Sequence, residues 1–567
     1  MSLRAALALT ALALAAAAPP ARAAVSVDVS TPWTVPGHPV PVQLIIRSTA
    51  PDSLTAVVSC GAVSATATFP VGAGPVERRT VLLPALDGRA YGCAPRVDYA
   101  TAGGDEGNVS GPVGPNDLRF AVVQPRPSGV SDHAGLLVDV TPEALPDRWQ
   151  GFPATTTFIV GPAADDALTP TQRAALATWS RAGGRLVLLG DPDRLGRWRA
   201  LGALATSAGL DAGLVDELLD APAPLDDPPW DHRVPGTERV PVGGFVLVAL
   251  TFAVLVGPVN LWWVIKRRRQ RGLFFLTTPL LSLAACAVLI GYNLLSEGLG
   301  TRRAALQLTW LDGDRHEAVT LSGVTLFAGT GVGAFRADPE ALVRPLRPTD
   351  DVYALRGGDA PGARPRAIRW GEADQELTGE WVPTRRNEQL VFVAPGPERR
   401  RLTVAPAPDR RWSLTNGLDV PVRRLRWVSP DEQAWWLPEP LAPGATATLI
   451  AQGPAVAEPP WGRLGPHGRP LWERAARPLH FTAELEQPLS PIPGPEASDE
   501  APIEAWLMGP LAPAGVPPLD PISPWPVRGA SQDLAPAELP PAELPPAEPL
   551  PAEAPPAGPL APPEVPE

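Results

Sequence analysis

Two long runs without a charged residue, separated by a short basic segment, constrain this chain more than any other feature. The runs cover residues 240–265 and 272–296. About 20 apolar residues in a helix cross the hydrocarbon core of a bilayer, and only a helix satisfies its own backbone there. The sequence therefore predicts two transmembrane helices, joined by a loop over 266–271.

The loop predicts how such a hairpin is oriented. It contains five basic residues: Lys266, Arg267, Arg268, Arg269 and Arg271. Positive charge in a short loop stays cytoplasmic, so both large flanks are expected on the other side. This predicts a bacterial inner (cytoplasmic) membrane protein with the lipid bilayer as a partner and both flanks periplasmic. In a host with a single membrane, those flanks would be extracellular.

The first 23 residues have the three parts of a secretory signal peptide. Arg4 supplies the positive start, residues 5–18 form an apolar stretch, and Ala21-Arg22-Ala23 offers small residues before a cleavage point. Export of the N-terminal half agrees with the predicted orientation of the hairpin.

The sequence contains three cysteines, and two of them lie in one N-terminal segment. Cys60 and Cys93 both fall within residues 25–122, whereas Cys286 lies in the second uncharged run. An exported domain with two cysteines can hold a disulfide. Two buried thiols are the alternative, and the sequence leaves both open.

Residues 25–122 alternate apolar and polar positions in short runs, such as VPVQLIIRS, and turn residues separate these runs. That pattern predicts an immunoglobulin-like β-sandwich. Residues 129–220 differ, because strand candidates at 135–140, 156–161 and 185–190 alternate with a helix. Thr169-Pro170 favours the start of that helix and Gly183-Gly184 its end. This predicts a small parallel α/β unit.

The strings LPDRWQGFPATTTFIVGP and LTPTQRAALATWSRAGGRLVLLGD carry a family resemblance. With a GPVN segment at Gly257 to Asn260, they resemble the class I glutamine-amidotransferase-like domain of a family of uncharacterised bacterial membrane proteins. The resemblance implies a flavodoxin- or amidotransferase-like fold for residues 129–220. It also implies a β-sandwich before that domain, with a helix hairpin and further β structure after it. Family members are often encoded near AAA+ ATPases and von Willebrand-type proteins, which implies a role in envelope assembly or stress.

The amidotransferase chemistry is expected to be lost. It needs a cysteine nucleophile activated by a histidine, but residues 129–220 contain no cysteine and one histidine, His133. Ser131, Asp132 and His133 are adjacent in sequence and cannot converge as a triad. No catalytic residue, metal site or cofactor is predicted. A ligand crevice at the carboxyl ends of the strands remains an expectation, lined by Asp139, Gly161 and Asp191.

The remaining segments are predicted from composition and strand patterns. A proline-rich linker covers 221–239, and its acidic residues and His232 fit a solvated linker better than a metal site. Residues 303–400 predict a β-rich region, 401–510 a second β-sandwich, and 511–567 a disordered, proline-rich tail. Tryptophans cluster in this half, and Trp435 and Trp436 fit either core packing or a glycan-binding face.

These observations together predict a multidomain α+β membrane protein without enzymatic activity. Exported binding or scaffold domains would sit on a two-helix anchor, in a complex with other envelope proteins. The alternatives are an envelope hydrolase or amidotransferase-like enzyme, and a glycan-binding protein. The net charge of −12 excludes nucleic acid as an expected partner, because that partner requires a basic face.

Overall fold

A computed structural model describes most of the chain between residues 25 and 513. The described residues are 25–85 except 36, 94–126 except 116–117, 137–189 except 154–155, 192–200, 205–208, 234, 242–262, 266, 273–346, 365–408, 411–451, and 478–513 except 502. The predicted signal peptide, most of the linker and the proline-rich tail lie outside these residues.

The described part of the chain is mainly β structure. Strands account for 47% of it and helices for 19%, and the strands form five sheets. The predicted fold class, a multidomain α+β membrane protein, is therefore wrong. The physical reason is that strands from distant parts of the chain pair with one another. Short-range periodicity in the sequence does not reveal such pairing.

The N-terminal segment forms seven antiparallel strands with a common core. Leu54, Ala56 and Val58 alternate with more exposed residues along one strand, and they pack in this core. Gly61, at φ +59°, supports the tight turn to the next strand. The strands are β1 Val25–Ser30, β2 Val40–Ser48, β3 Asp52–Cys60, β4 Val63–Val71, β5 Glu77–Leu83, β6 Arg96–Thr101 and β7 Glu106–Ser110. β1, β2 and β5 form one sheet, and the other four belong to a second.

Cys60, at the end of β3, is disulfide-bonded, whereas Cys286 is free and exposed. Cys93, the predicted partner of Cys60, lies outside the described residues.

Five parallel strands follow, with three short helices between them. The strands are β8 Phe120–Val123, β9 Leu137–Val140, β10 Thr157–Val160, β11 Arg185–Leu189 and β12 Ala205–Ala208. The helices are α1 Pro162–Ala167, α2 Pro170–Arg181 and α3 Pro192–Ala200. The spatial order is β12-β11-β10-β8-β9. Because β8 lies between β9 and β10, the strand order reverses there, and such a reversal creates a crevice at the carboxyl edge of a sheet.

The two uncharged runs are helical. The first contains α4, Val242–Val254, then a π-helical segment at Leu255–Val259 and a short helix at Asn260–Trp262. The second forms α5, Leu273–Glu297. The Asn260 side chain is buried and hydrogen-bonds the hydroxyls of Thr277 and Thr278. Both helices leave large apolar side chains exposed, among them Leu247, Phe275 and Leu283.

The described helices contradict the predicted transmembrane hairpin. α4 has 13 residues and rises about 20 Å, below the ~30 Å of a hydrocarbon core. Within the part of the chain that the structure describes, no helix is long and apolar enough to cross a membrane.

The predicted membrane hairpin is therefore wrong, with its helices at 240–265 and 272–296 and its cytoplasmic loop at 266–271. The predicted inner-membrane location with periplasmic flanks is wrong for the same reason. Of the loop residues, Lys266 is described and lies 5.7 Å from the centre of the Trp262 ring. Arg267, Arg268, Arg269 and Arg271 lie outside the described residues.

After the helices, the chain builds a nine-stranded sheet around a long hairpin. The hairpin consists of β13 Thr301–Asp312 and β14 Glu317–Ala328. The full spatial order is β16-β19-β14-β13-β27-β25-β22-β23, with β26 also paired to β13. The other members are β16 Leu342–Leu346, β19 Asn387–Pro397, β22 Val422–Val428, β23 Ala434–Trp436, β25 His480–Leu485, β26 Asp499–Glu500 and β27 Glu504–Pro510.

Strands on both sides of the helices share one sheet. The short strands β15 Ala334–Ala337, β17 Arg366–Trp370 and β18 Gln375–Gly379 extend the N-terminal sheet, because β17 pairs in parallel with β4. The resulting order is β15-β18-β17-β4-β3-β6-β7. Segments that the sequence assigns to separate domains thus contribute to a single sheet. A fifth sheet contains β20 Arg401–Ala407, β21 Arg411–Gly417 and β24 Thr446–Thr448.

The nine-stranded sheet is covered on both faces. Val391 and Val393 face α2 and the parallel sheet, whereas Leu390 and Phe392, at the alternate positions of β19, face β17 and β18. This alternation follows the period of two in a strand. A cleft lies at the end of the sheet that meets α2.

Candidate functional site

A cleft of about 380 Å³ lies where the C-terminal turn of α2 meets the β13–β14 hairpin and the end of β19. We call it the hairpin cleft. This volume lies at the lower end of the range for small-ligand sites. The lining residues are Thr178, Arg181, Trp310, Asp312, Arg315, His316, Glu317, Ala318, Val319, Glu340, Pro395, Gly396 and Pro397.

Local packing fixes the walls of the hairpin cleft. α2 begins with a capping box, in which Thr169 and Gln172 satisfy each other's backbone N–H groups. The wall that contains Glu340 is held by the turn at Trp149–Gly151. Trp149 Nε1 donates to the Glu340 carbonyl and Gln150 Nε2 to the Pro339 carbonyl, both at 3.0 Å.

An ion pair joins the two main walls. The Arg181 guanidinium of α2 contacts the Glu317 carboxylate of β14, and its Nη2 donates to the Thr178 hydroxyl at 2.8 Å. The side chains of Arg181 and Glu317 are 20% and 32% exposed, so a molecule in the cleft can reach both. Arg181 Nε is buried and has no hydrogen-bond partner within the described residues.

The turn of the hairpin adds a partly buried carboxyl group. Asp312 accepts a hydrogen bond from the Arg315 backbone N–H at 3.1 Å, and the Arg315 Nε lies 3.9 Å from its other oxygen. Burial raises the pKa of Asp312, against the opposing effects of Arg315. His316 adopts a positive φ of 56°, and its carbonyl accepts from Glu398 N at 2.7 Å, which ties the turn to the end of β19.

The combination of paired charges and apolar surface suits binding. Arg181 and Glu317 present opposite charges on facing walls, while Trp310 and Val319 provide apolar floor. A polypeptide segment with polar and apolar side chains matches such a surface.

The crevice predicted from the sequence lies elsewhere, at the carboxyl edge of the parallel sheet. Asp139 lies on β9 and forms a bidentate pair with Arg126, with both N–O distances 2.9 Å. Gly161 follows β10 and precedes α1. Asp191 lies outside the described residues, as do Ser131, Asp132 and His133, so the structure describes two of the three predicted residues at this edge.

The tryptophans proposed for a glycan-binding face are largely packed. Trp435 is 8% exposed, and its Nε1 donates to the Ser429 hydroxyl at 3.3 Å. Trp427 is fully buried and packs edge-on against Trp412. Trp436 is half-buried. These positions favour the core-packing interpretation of the cluster.

Sequence reasoning missed the hairpin cleft. One local signal is present: Asp312-Gly313-Asp314 lies between two strand-like runs and by itself predicts a hairpin turn, which the structure has between β13 and β14. Nothing in the sequence indicates that Arg181 meets Glu317, 136 residues away. The weak signal available was a basic residue at the end of a helix whose other face is apolar.

Comparisons with known proteins provide no identity for this chain. No protein-family model and no curated protein match it. Among solved structures, it is similar to the yeast delta-COP-I mu-homology domain, alone at 8% identity and in complex with a Dsl1 WxWxV peptide at 7% identity. Each match covers 38% of this chain and 96% of the other, with a TM-score of 0.18. At that TM-score the similarity carries no argument about fold or function.

Proposed function

We propose that this chain is a non-enzymatic binding or scaffold protein that docks a polypeptide segment of another protein in the hairpin cleft. The observation that carries this proposal is the Arg181–Glu317 pair, which lines facing walls of the cleft and remains partly exposed. A partner can pair with either charge without disturbing the surrounding sheet.

The surrounding framework supports a scaffold role. The hairpin cleft is formed by α2, β13, β14 and β19, and each of these elements is anchored in a large buried core. Binding sites on rigid elements hold their geometry better than sites on loops. A preformed cleft therefore loses little conformational entropy when a partner docks.

The experiment is affinity capture of the full chain, followed by identification of what co-purifies and measurement of Kd with the purified partner. Arg181→Ala removes the cationic wall and is expected to weaken binding by about tenfold or more, because charge-assisted hydrogen bonds contribute about 1.5–3 kcal/mol. Arg423→Ala is the matched control, since Arg423 forms an ion pair with Glu484 on β25 and does not line the cleft.

The proposal fails if no protein is recovered reproducibly. It also fails if Arg181→Ala and Arg423→Ala bind the captured partner as tightly as the unmodified chain. Catalytic turnover of a captured molecule would contradict the non-enzymatic assignment.

A further inference from the structure

Three arginines surround one buried carboxylate on the carboxyl side of the parallel sheet. Asp165 of α1 has a side chain 6% exposed. Arg173 Nε lies 3.1 Å from its Oδ1, Arg194 Nη1 lies 3.3 Å from its Oδ2, and Arg197 Nη2 lies 3.6 Å from Oδ2. Trp198 Nε1 also donates to Oδ1, at 3.2 Å. We call this group the arginine cluster.

The arginine cluster lies where ligands bind to open parallel sheets. α1 directly follows β10, and α3, which contains Arg194 and Arg197, directly follows the neighbouring strand β11. Arg194 Nη1 donates to the Pro162 carbonyl at 2.7 Å, which holds the start of α3 against α1. The carboxyl ends of such strands form the usual ligand crevice of this architecture.

The cluster has more positive than negative charge. Among the side chains that the structure describes there, the anionic groups are Asp165 and the exposed Asp166, which pairs with Arg194 at 3.1 Å. Hydrogen bonding by Arg194 holds the pKa of Asp166 below its usual value. Three guanidinium groups and two carboxylates leave one net positive charge.

Arg197 is the member available to a ligand. Its side chain is 63% exposed, whereas those of Arg173 and Arg194 are 28% and 23% exposed. Its contact with Asp165 is also the longest of the three. Asp165 therefore forms an ion pair with the Arg197 guanidinium, while more than half of the Arg197 side chain remains exposed to solvent.

From this geometry we infer that the arginine cluster binds the phosphate group of a small molecule, with Arg197 as the main contact. A guanidinium presents two parallel N–H donors that match two phosphate oxygens. A buried carboxylate that fixes those donors in advance lowers the entropic cost of binding. This site is separate from the hairpin cleft and does not depend on the proposed function.

The test is calorimetric titration of the full chain with inorganic phosphate and with pyrophosphate, at constant ionic strength set with chloride. We expect saturable binding, tighter for pyrophosphate because its charge is greater. Arg197→Ala is expected to weaken pyrophosphate binding by about tenfold or more, the effect of losing one charge-assisted pair. Arg197→Lys is expected to weaken it as well, because an ammonium group lacks the paired donors.

Arg423→Ala is the control, since Arg423 is also an exposed arginine, 51% exposed and paired with one carboxylate. It is expected to leave pyrophosphate binding unchanged. Because Arg197 is largely exposed, its variants should fold, and equal denaturation midpoints would establish this. Absence of saturable binding to the unmodified chain, or equal losses in Arg197→Ala and Arg423→Ala, would overturn the inference.

Discussion

Arg366 of β17 and Glu388 of β19 form a buried ion pair between the two largest sheets. Their side chains are 5% and 7% exposed, and Arg366 Nη2 lies 3.0 Å from the Glu388 carboxylate. The Arg366 guanidinium also lies 5.7 Å from the centre of the Trp381 ring. Loss of one partner would remove this charge pairing from a buried site.

Glu388→Gln is therefore expected to destabilise the protein by about 3 kcal/mol or more, in the range for a broken buried pair. Glu484→Gln is the control, because Glu484 pairs with two half-exposed arginines, and exposed pairs contribute about 1 kcal/mol or less. Chemical denaturation of both variants measures the difference. Equal losses of stability would contradict the role assigned to the buried pair.

The raised pKa of Asp312, in the hairpin cleft, predicts that the stability of the fold depends on pH. Burial raises its pKa above the usual value of 3.8, while Arg315 opposes the rise and Asp314 and Glu317 add to it. Since the folded state binds this proton more tightly than the unfolded state, the group stabilises the fold below pH 3.8 and loses that contribution as pH rises through the folded pKa.

Asp312→Asn removes the ionisable group, so the variant does not lose this stability as pH rises. Its side-chain oxygen can still accept a hydrogen bond from the Arg315 backbone N–H. We expect the variant to be more stable than the unmodified chain at pH 7, with the difference shrinking toward pH 3.8 and below. Denaturation midpoints at a series of pH values test this. A variant less stable at pH 7 would show that the ionised carboxylate stabilises the turn.

At the scale of elements, α2 is the helix that positions the hairpin cleft. Thr169 and Gln172 form its capping box. Gln172 Nε2 also donates to the carbonyls of Pro142 and Leu145, at 2.8 and 3.0 Å, inside the protein. The helix start is thus tied to the preceding turn as well as capped.

Gln172→Ala is expected to cost more stability than Thr169→Ala. The threonine change removes one cap, at about 1 kcal/mol. The glutamine change removes its part of the capping box and two further buried hydrogen bonds, at about 0.5–1.5 kcal/mol for each bond lost, because the Pro142 and Leu145 carbonyls keep other donors. Denaturation midpoints compare the two variants, and a larger loss for Thr169→Ala would contradict this account of α2.

Local sequence signals predict part of the parallel sheet, but they miss β8 and β12. The expected strands at 156–161 and 185–190 are confirmed as β10 and β11, and Thr169 caps α2 as predicted. Each depends on neighbours within a few residues. The uncharged runs differ from these elements. Absence of charge indicates a helix, but it does not determine how far an uninterrupted helix extends. The helix α4 ends before the π-helical segment that contains Pro258.

At the scale of the whole molecule, pairing between distant segments determines the architecture. Arg366 pairs with Val63 in the parallel register of β17 and β4, and Trp370 Nε1 donates to the Leu82 carbonyl at 2.9 Å. Strand alternation identifies each of these segments as β structure. It does not identify their partners, because every amphipathic strand presents the same period of two.

The candidate site depends on the same distant pairing. Arg181, Asp312 and Pro397 lie far apart in sequence and meet only after the nine-stranded sheet packs on α2. The sequence therefore predicts the α2 helix and the hairpin turn, but not the cleft between them. Asp139 and Gly161 could be assigned to the carboxyl edge because that edge follows from strand order within one local unit.

The central claim, that the hairpin cleft binds a partner, is tested most directly by exchanging its two charges. Arg181→Glu alone places two carboxylates side by side, at positions 181 and 317. Their repulsion should reduce the stability of the fold, and the loss of the cationic group should reduce partner binding. Adding Glu317→Arg restores an ion pair, so stability should recover, while binding stays reduced because the charges presented to the partner are reversed. If the double variant instead regains full affinity together with stability, the pair is structural only, and the hairpin cleft is not the binding site.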